Sequence, residues 1–189
     1  VNGVEDPDHA LMQRIASGDA RAFRQLSDQH LKTIVTYAYR ITHNRAEAEE
    51  IAQEVFLRTW REAERYRPEG RVVAWLHKVA QRLALDLLRR RRGTVAVDEA
   101  LEAPASDNPQ QLLVRKQNVQ GVQAALQLLP ERQRLALVLS HEQGLSNSET
   151  ADVLGLGVDA TESLLARARR SLRQLLTQAN PESEGQRTQ

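Results

Sequence analysis

The sequence predicts an all-α fold: two small helical domains joined by a flexible acidic linker, the C-terminal one carrying a helix-turn-helix. Three observations predict it. Leu, Ala, Arg, Gln and Glu dominate the chain, while Gly and Pro number only 9 and 6, a balance that favours helix. Apolar residues recur at spacings of three and four, and no strand-like alternation is sustained. One segment, "GTVAVDEALEAPASDNPQQ", has neither period and breaks the chain. The expected boundaries are 1–92 for the first domain, 93–111 for the linker, 112–178 for the second domain and 179–189 for a disordered tail.

The elements follow in order. The first few residues read as frayed. "DHALMQRIASGDARAFRQL" gives a short helix, a Ser-Gly-Asp break and the start of a second helix, which runs through "HLKTIVTYAYRI". Asn44 with Glu47 three residues on is a capping box opening a long amphipathic helix to Tyr66. "RPEGR" ends it, and a further helix follows with Val72, Leu76, Val79, Leu83 and Leu87 inward. Beyond the linker, "LLVRKQNVQGVQAALQLL" is helical up to Pro130, and "ERQRLALVLSHEQ" is closed by Gly144. Two helices then start at Ser146/Glu149 and Asp159/Glu162, each pair with capping-box spacing and "VLGLGV" as the turn between them.

That last pair has the layout of a helix-turn-helix. Ala151 and Leu154 face inward from the first helix, and Leu165, Ala168, Leu172 and Leu175 from the second. Ser163, Arg167 and Arg170 form an opposite row, with Arg169 and Arg173 beside it. This geometry suits a helix whose first turns meet base edges while its arginines hold phosphates. Helical hairpins of this kind also occur in proteins that never touch DNA, and Glu149 and Glu162 read as caps.

The net charge of +1 conceals segregation: residues 71–97 carry +6 and residues 98–109 carry −4. In the basic segment Arg71, Lys78, Arg82 and Arg89 fall within about 20° of one line along a helix, with Trp75 about 40° away. Charge for a backbone beside a flat ring for a base suits single-stranded nucleic acid. A solvated polar face is the plain alternative. The run Arg89–Arg92, with only Asp86 nearby, calls for an anionic partner.

Other classes find little support. The chain has no cysteine, which removes disulfides, thiol chemistry and Cys-ligated zinc. His9, His30, His43, His77 and His141 are scattered, without metal-binding spacing. The acidic cluster Glu47, Glu49, Glu50 and Glu54 lacks a histidine or a second cluster to complete a metal site. There is no phosphate-binding lysine loop and no nucleophile elbow. Neither an enzyme, a metal nor a cofactor is expected. No apolar run is long enough to span a membrane and no signal-peptide pattern opens the chain, so a cytoplasmic protein without direct membrane insertion is expected.

Four stretches, "AEAEEIAQEVFLRTW" (46–60), "AWLHKVAQRLALDLLRR" (74–90), "LLPERQRLALVL" (128–139) and "SETADVLGLGVDATESLLARARRSL" (148–172), carry a family resemblance. In this order the chain resembles a bacterial sigma factor of the extracytoplasmic-function group within the sigma-70 superfamily. The resemblance implies an initiation factor that binds core RNA polymerase, directs it to promoter DNA and helps open the duplex. The helix 46–60 would dock on the β′ clamp helices through Glu50, Gln53, Glu54 and Leu57. The loop Arg65 to Val73 and the helix after it would capture the melted −10 strand with a flipped base. Tyr66, Arg71, Trp75, Lys78, Arg82, Arg89 and Arg90 are the implied contacts. Ser163, Arg167 and Arg170 would read the −35 duplex, and the same domain would touch the β flap. The acidic linker would thread toward the polymerase channel, and an anti-sigma factor is a further implied partner.

Two departures are visible. Many members carry Asn where this chain has Arg82, which makes that residue a phosphate contact rather than a base reader. The recognition helix lacks the usual cations at 160–164, leaving Ser163, Arg167 and Arg170 to stand on geometry. The rival readings are a stand-alone helix-turn-helix regulator working without polymerase and a protein-binding helical adaptor.

Overall fold

The computed structural model describes residues 6–67, 70–94, 121–122 and 124–179, and every regular element among them is helical. Residues 95–111 of the linker, residues 180–189 of the expected tail and residues 1–5 lie outside this set. The first unit comprises α1 (Pro7–Ala16), α2 (Ala20–Thr42), α3 (Arg45–Glu62), a 3₁₀ turn (Ala63–Arg65) and α4 (Val72–Thr94). The second has helical residues 124–127, α5 (Glu131–Leu137) running into a π-helical turn (Val138–Glu142), α6 (Asn147–Leu154) and α7 (Val158–Ala179). No described helix is long and apolar enough to cross a membrane.

Local chemistry sets most of the boundaries. Asp6 caps α1 with Pro7 at its first position, and Asp19 caps α2 by accepting from Arg21 N and Ala22 N. Asn44 accepts from Glu47 N to open α3, but Glu47 turns its carboxylate to Arg91. Ser146 and Glu149 complete a reciprocal box on α6. Gly155, with φ +65°, ends α6 in the left-handed region that glycine enters without strain.

One expectation is corrected here. Asp159 does not cap α7: the Gly157 carbonyl already accepts from Thr161 N at 3.0 Å, so the helix starts earlier and Asp159 sits in its first turn. Its charge still suits that end of the helix dipole. Asp6, just before α1, has its carboxylate held by two helices, as described below.

α2, α3 and α4 enclose the first core around Tyr37, Leu26, Ile34, Val55 and Leu76, with Met12 of α1 against them. α5 and the π-helical turn after it are together buried on two sides. Leu135, Val138 and Leu139 join the core of the first unit, whereas Ala136 and Leu137 pack with Leu164, Leu165 and Ala168 of α7. The two units therefore lie against each other, with α4 along α6.

Inside this core Tyr37 donates to Gln81 Oε1 at 2.6 Å, and its ring meets His77 edge-on at 5.0 Å. His77 is fully buried. Burial holds its pKa at about 4, against the bond that Nδ1 donates to Val73 O at 2.8 Å. The ring is thus neutral in the fold but charges near pH 6.5 when unfolded, so stability falls as pH drops from 6.5 toward 4. Urea unfolding at pH 7 and pH 5 is expected to show a loss of about 2 kcal/mol that His77→Gln does not share. Equal losses in both proteins would assign the pH sensitivity elsewhere.

Candidate nucleic-acid interface

Three surfaces carry the residues singled out by the sequence. On α3, Glu50, Gln53 and Leu57 are exposed and Glu54 is half-buried, all on one face. Arg58 donates to Glu54 at 2.8 Å and Arg61 at 3.2 Å, and the Arg58 bond leads in holding its carboxyl below the usual range. One turn beyond Leu57, which is 52% exposed, stands Trp60 at 39% exposure with its ring against Phe23 at 5.3 Å. Trp60 extends the face with an aromatic that charge and spacing did not single out; its i+3 offset from Leu57 was the available signal.

The basic stripe of α4 has two different parts. At its start, Arg71 Nε and Nη2 donate to the two carboxylate oxygens of Glu149 on α6, at 2.7 and 2.8 Å, and Nη2 also donates to Gly144 O at 2.6 Å. One turn further on from Trp75, Lys78 Nζ donates to Asp152 Oδ1 at 2.6 Å. Burial alone pushes the Glu149 carboxyl up. The bonds from Arg71 and Ser146 outweigh it and hold the pKa at about 2, so this pair persists at neutral pH and fails only as pH falls from the ordinary glutamate range toward 2. Glu149 is a cap, as its spacing from Ser146 indicates, and it is also the partner of Arg71.

Farther along, Arg82, Arg89 and Arg90 are exposed. Arg89 donates to Asp86 at 3.1 Å, and Arg91 pairs with Glu47 of α3. The arginine run therefore has carboxylate neighbours on two helices. The spacing within α4 shows Asp86, but Glu47 arrives only through the packing of α3 on α4.

Trp75 is half-buried, packed on the core and edge-on to Tyr66 at 5.8 Å, so the ring pair sits at the start of the stripe. Burial first, then the charges of Asp6 and Asp8, push the Tyr66 hydroxyl up to about 12. It stays protonated and donates to Gly70 O at 3.2 Å. Arg71 and Lys78 thus meet α6, the Tyr66–Trp75 pair lies beside them in sequence, and Arg82, Arg89 and Arg90 extend the stripe along α4.

On the helix-turn-helix, Ser163, Arg167 and Arg170 are exposed along α7, with Leu164, Leu165 and Ala168 buried behind them. Asn147 Nδ2 donates to Glu162 at 3.1 Å, tying α6 to the start of α7. Arg169 turns instead toward His141, 3.2 Å away. A third charge pair closes the junction between the units: Arg40 of α2, almost fully buried, donates to both oxygens of Glu142 at 2.7 and 2.8 Å.

Among the described residues no group of three or more His, Asp or Glu side chains is arranged to hold a metal. The arrangement is one of cations, aromatics and an exposed helix pair, the elements of phosphate and base recognition.

Known proteins match this architecture. Residues 26–94 match the Sigma-70 region 2 family and residues 120–172 match Sigma-70, region 4. The chain is 35% identical to the ECF RNA polymerase sigma factor SigE of Mycolicibacterium smegmatis, over 89% of this chain and 68% of that one. It is 31% identical to the ECF RNA polymerase sigma factor SigM of Mycobacterium tuberculosis, over 93% and 88%. Among solved structures, CnrH in complex with the cytosolic domain of CnrY superposes with a TM-score of 0.65 at 28% identity, covering 89% of this chain and 96% of that one. With its two helical units in the same order, the chain belongs to the extracytoplasmic-function sigma factors of bacterial RNA polymerase.

Proposed function

We propose that this sigma factor holds the melted −10 strand with the Tyr66–Trp75 ring pair and the α4 cations, and reads the −35 duplex with α7. The DNA-binding units of this reading are 1–92, with α4 running on to Thr94, and 112–178. The observation that carries this reading is the juxtaposition of Arg71, Trp75 and Lys78 at the start of a stripe that continues exposed through Arg82, Arg89 and Arg90. Glu50, Gln53, Glu54 and Leu57, continued by Trp60, form the face offered to the polymerase β′ clamp helices, and the second unit meets the β flap. The protein acts in the cytoplasm, with no catalytic site of its own.

The two promoter elements set a distance. Twenty-five base pairs of duplex extend about 85 Å, whereas the two units lie in contact. Both elements can be held at once only if the units part. The 26 residues between Thr94 and Gly121 reach at most roughly 90 Å fully extended, enough to allow it. Parting also frees Arg71 and Lys78 from Glu149 and Asp152. Core polymerase supplies the separation by binding each unit at its own site. A protein partner that covers the α3 face, as an anti-sigma factor does, opposes it.

Run-off transcription with purified core polymerase and genomic promoter fragments tests the function. Discrete transcripts that require this protein support it. Co-elution with core polymerase failing altogether would favour the stand-alone regulator. Within that assay Arg167→Ala is expected to weaken −35 duplex recognition by about tenfold, the lower range for losing one arginine contact to DNA, with core binding unchanged. Loss of core binding in that variant would place Arg167 on a different surface.

A further inference from the structure

Helix α1 lies outside the residues that match the Sigma-70 region 2 family, which begin at 26, yet its first turn grips the start of the stripe. The Asp6 carboxylate serves two helices. Oδ1 accepts from Asp8 N at 3.2 Å, opening its own helix, and Oδ2 accepts from Val72 N at 2.6 Å, opening α4 across 66 residues of sequence. An acceptor and a negative charge at that end of α4 satisfy an otherwise orphan amide and suit the helix dipole. One turn along, His9 Nε2 donates to Gly70 O at 2.9 Å, the same carbonyl that receives the Tyr66 hydroxyl. The His9 ring lies 6.0 Å from Tyr66, which in turn meets Trp75.

Asp6 therefore fixes where α4 begins, and so the direction in which Trp75 and Arg71 leave it. His9 and Tyr66 together fix the Gly70 carbonyl just before Arg71. We infer that Asp6 and His9 of α1 are positioning residues for −10 strand capture: they preorganise the Tyr66–Trp75 site and touch no DNA themselves. This rests on the reading of that site given above. Preorganisation matters because the entropy lost in ordering a connecting segment upon binding would offset the free energy of stacking and of phosphate binding.

The test uses holoenzyme assembled from core polymerase and the full chain. The probe is a fluorophore-labelled non-template single strand carrying the −10 region of a promoter mapped by run-off. His9 is the cleaner site, since Asp6→Ala removes caps from two helices and threatens folding. His9→Ala is expected to lower single-strand affinity roughly threefold to tenfold, the range for one hydrogen bond, with core binding and −35 duplex affinity unchanged. His9→Gln, which keeps a side-chain donor, should restore most of it. Trp75→Ala is measured alongside. If Trp75→Ala weakens the strand and His9→Ala does not, the positioning role is wrong while the site stands. If neither weakens it, the site itself is misassigned and the inference falls with it. A His9→Ala loss that Gln fails to restore overturns the hydrogen-bond account.

Discussion

The double variant Glu149→Gln, Asp152→Asn is expected to bind promoter DNA about tenfold more tightly than the unmodified chain when no polymerase is present. Its affinity should also fall more steeply with salt, by about two phosphates at 0.9 logarithmic units each. The reason is the composition of the junction between the units. Arg71 and Lys78 are the proposed phosphate contacts, and Glu149 and Asp152 occupy them at 2.6 to 2.8 Å. The Lys78–Asp152 pair is open to solvent, with its side chains 40% and 61% exposed, and holds the units together only weakly. Glu149 is better shielded and binds Arg71 through both oxygens.

Glutamine suits the capping-box position at 149, so the first substitution removes the charge while keeping α6 properly started. The apolar contacts of Leu135, Val138 and Leu139 still oppose parting, so the units remain mostly in contact. The gain therefore comes from a partial shift toward parted units once the two charge pairs are weakened, about 1.4 kcal/mol for a tenfold change. In holoenzyme the same substitutions should change DNA affinity little, because the units have already parted. An equal gain with and without polymerase would show that these carboxylates repel DNA generally and do not cover the stripe.

Trp75→Ala is expected to reduce the fraction of open promoter by tenfold or more while closed-complex formation changes little. Stacking of a base on an aromatic ring contributes about 1 to 3 kcal/mol, and the Tyr66–Trp75 pair is the aromatic group beside the stripe. Permanganate reactivity of the bubble reports opening, and duplex binding at low temperature reports the closed complex. Trp75 also packs partly on the core, so truncation has a structural component. Trp75→Phe separates the two, since it keeps a stacking face and most of the packing. Equal damage to both steps, unrelieved by Phe, would assign Trp75 to the core alone.

Much of this was legible in the sequence because it is governed by neighbours. The Ser146/Glu149 box, the Asn44 cap, Pro130, Gly144 and Gly155 act over three or four residues, and the helices start or stop at them. The α7 row follows from a period of 3.6 and is exposed as that period requires, whereas the α4 stripe is exposed at Arg82, Arg89 and Arg90 but half-buried against α6 at Arg71 and Lys78. What escaped was set by distance along the chain. Nothing at Arg71 indicates Glu149, 78 residues away, and nothing at Glu47 indicates Arg91. Carboxylates on solvated faces show their charge but not their partner. The apolar period of α5 marks a buried helix, but not that Leu135 and Ala136 belong to different cores. Asp6 could have been read as a cap from Asp-Pro alone; its second role at Val72 needed the packing of α1 on α4.

The central claim is that this sigma factor presents Arg71 and Lys78 to the −10 strand only when its two units separate. A distance measurement tests it most directly, and the chain has no cysteine to interfere with labelling. Gln29→Cys on α2 and Gln174→Cys on α7 are both exposed sites, and they take a donor and acceptor pair. High energy transfer is expected in the free chain, falling when core polymerase binds and staying low on promoter DNA. Unchanged high transfer in a holoenzyme that transcribes would contradict the account, as would low transfer in the free chain.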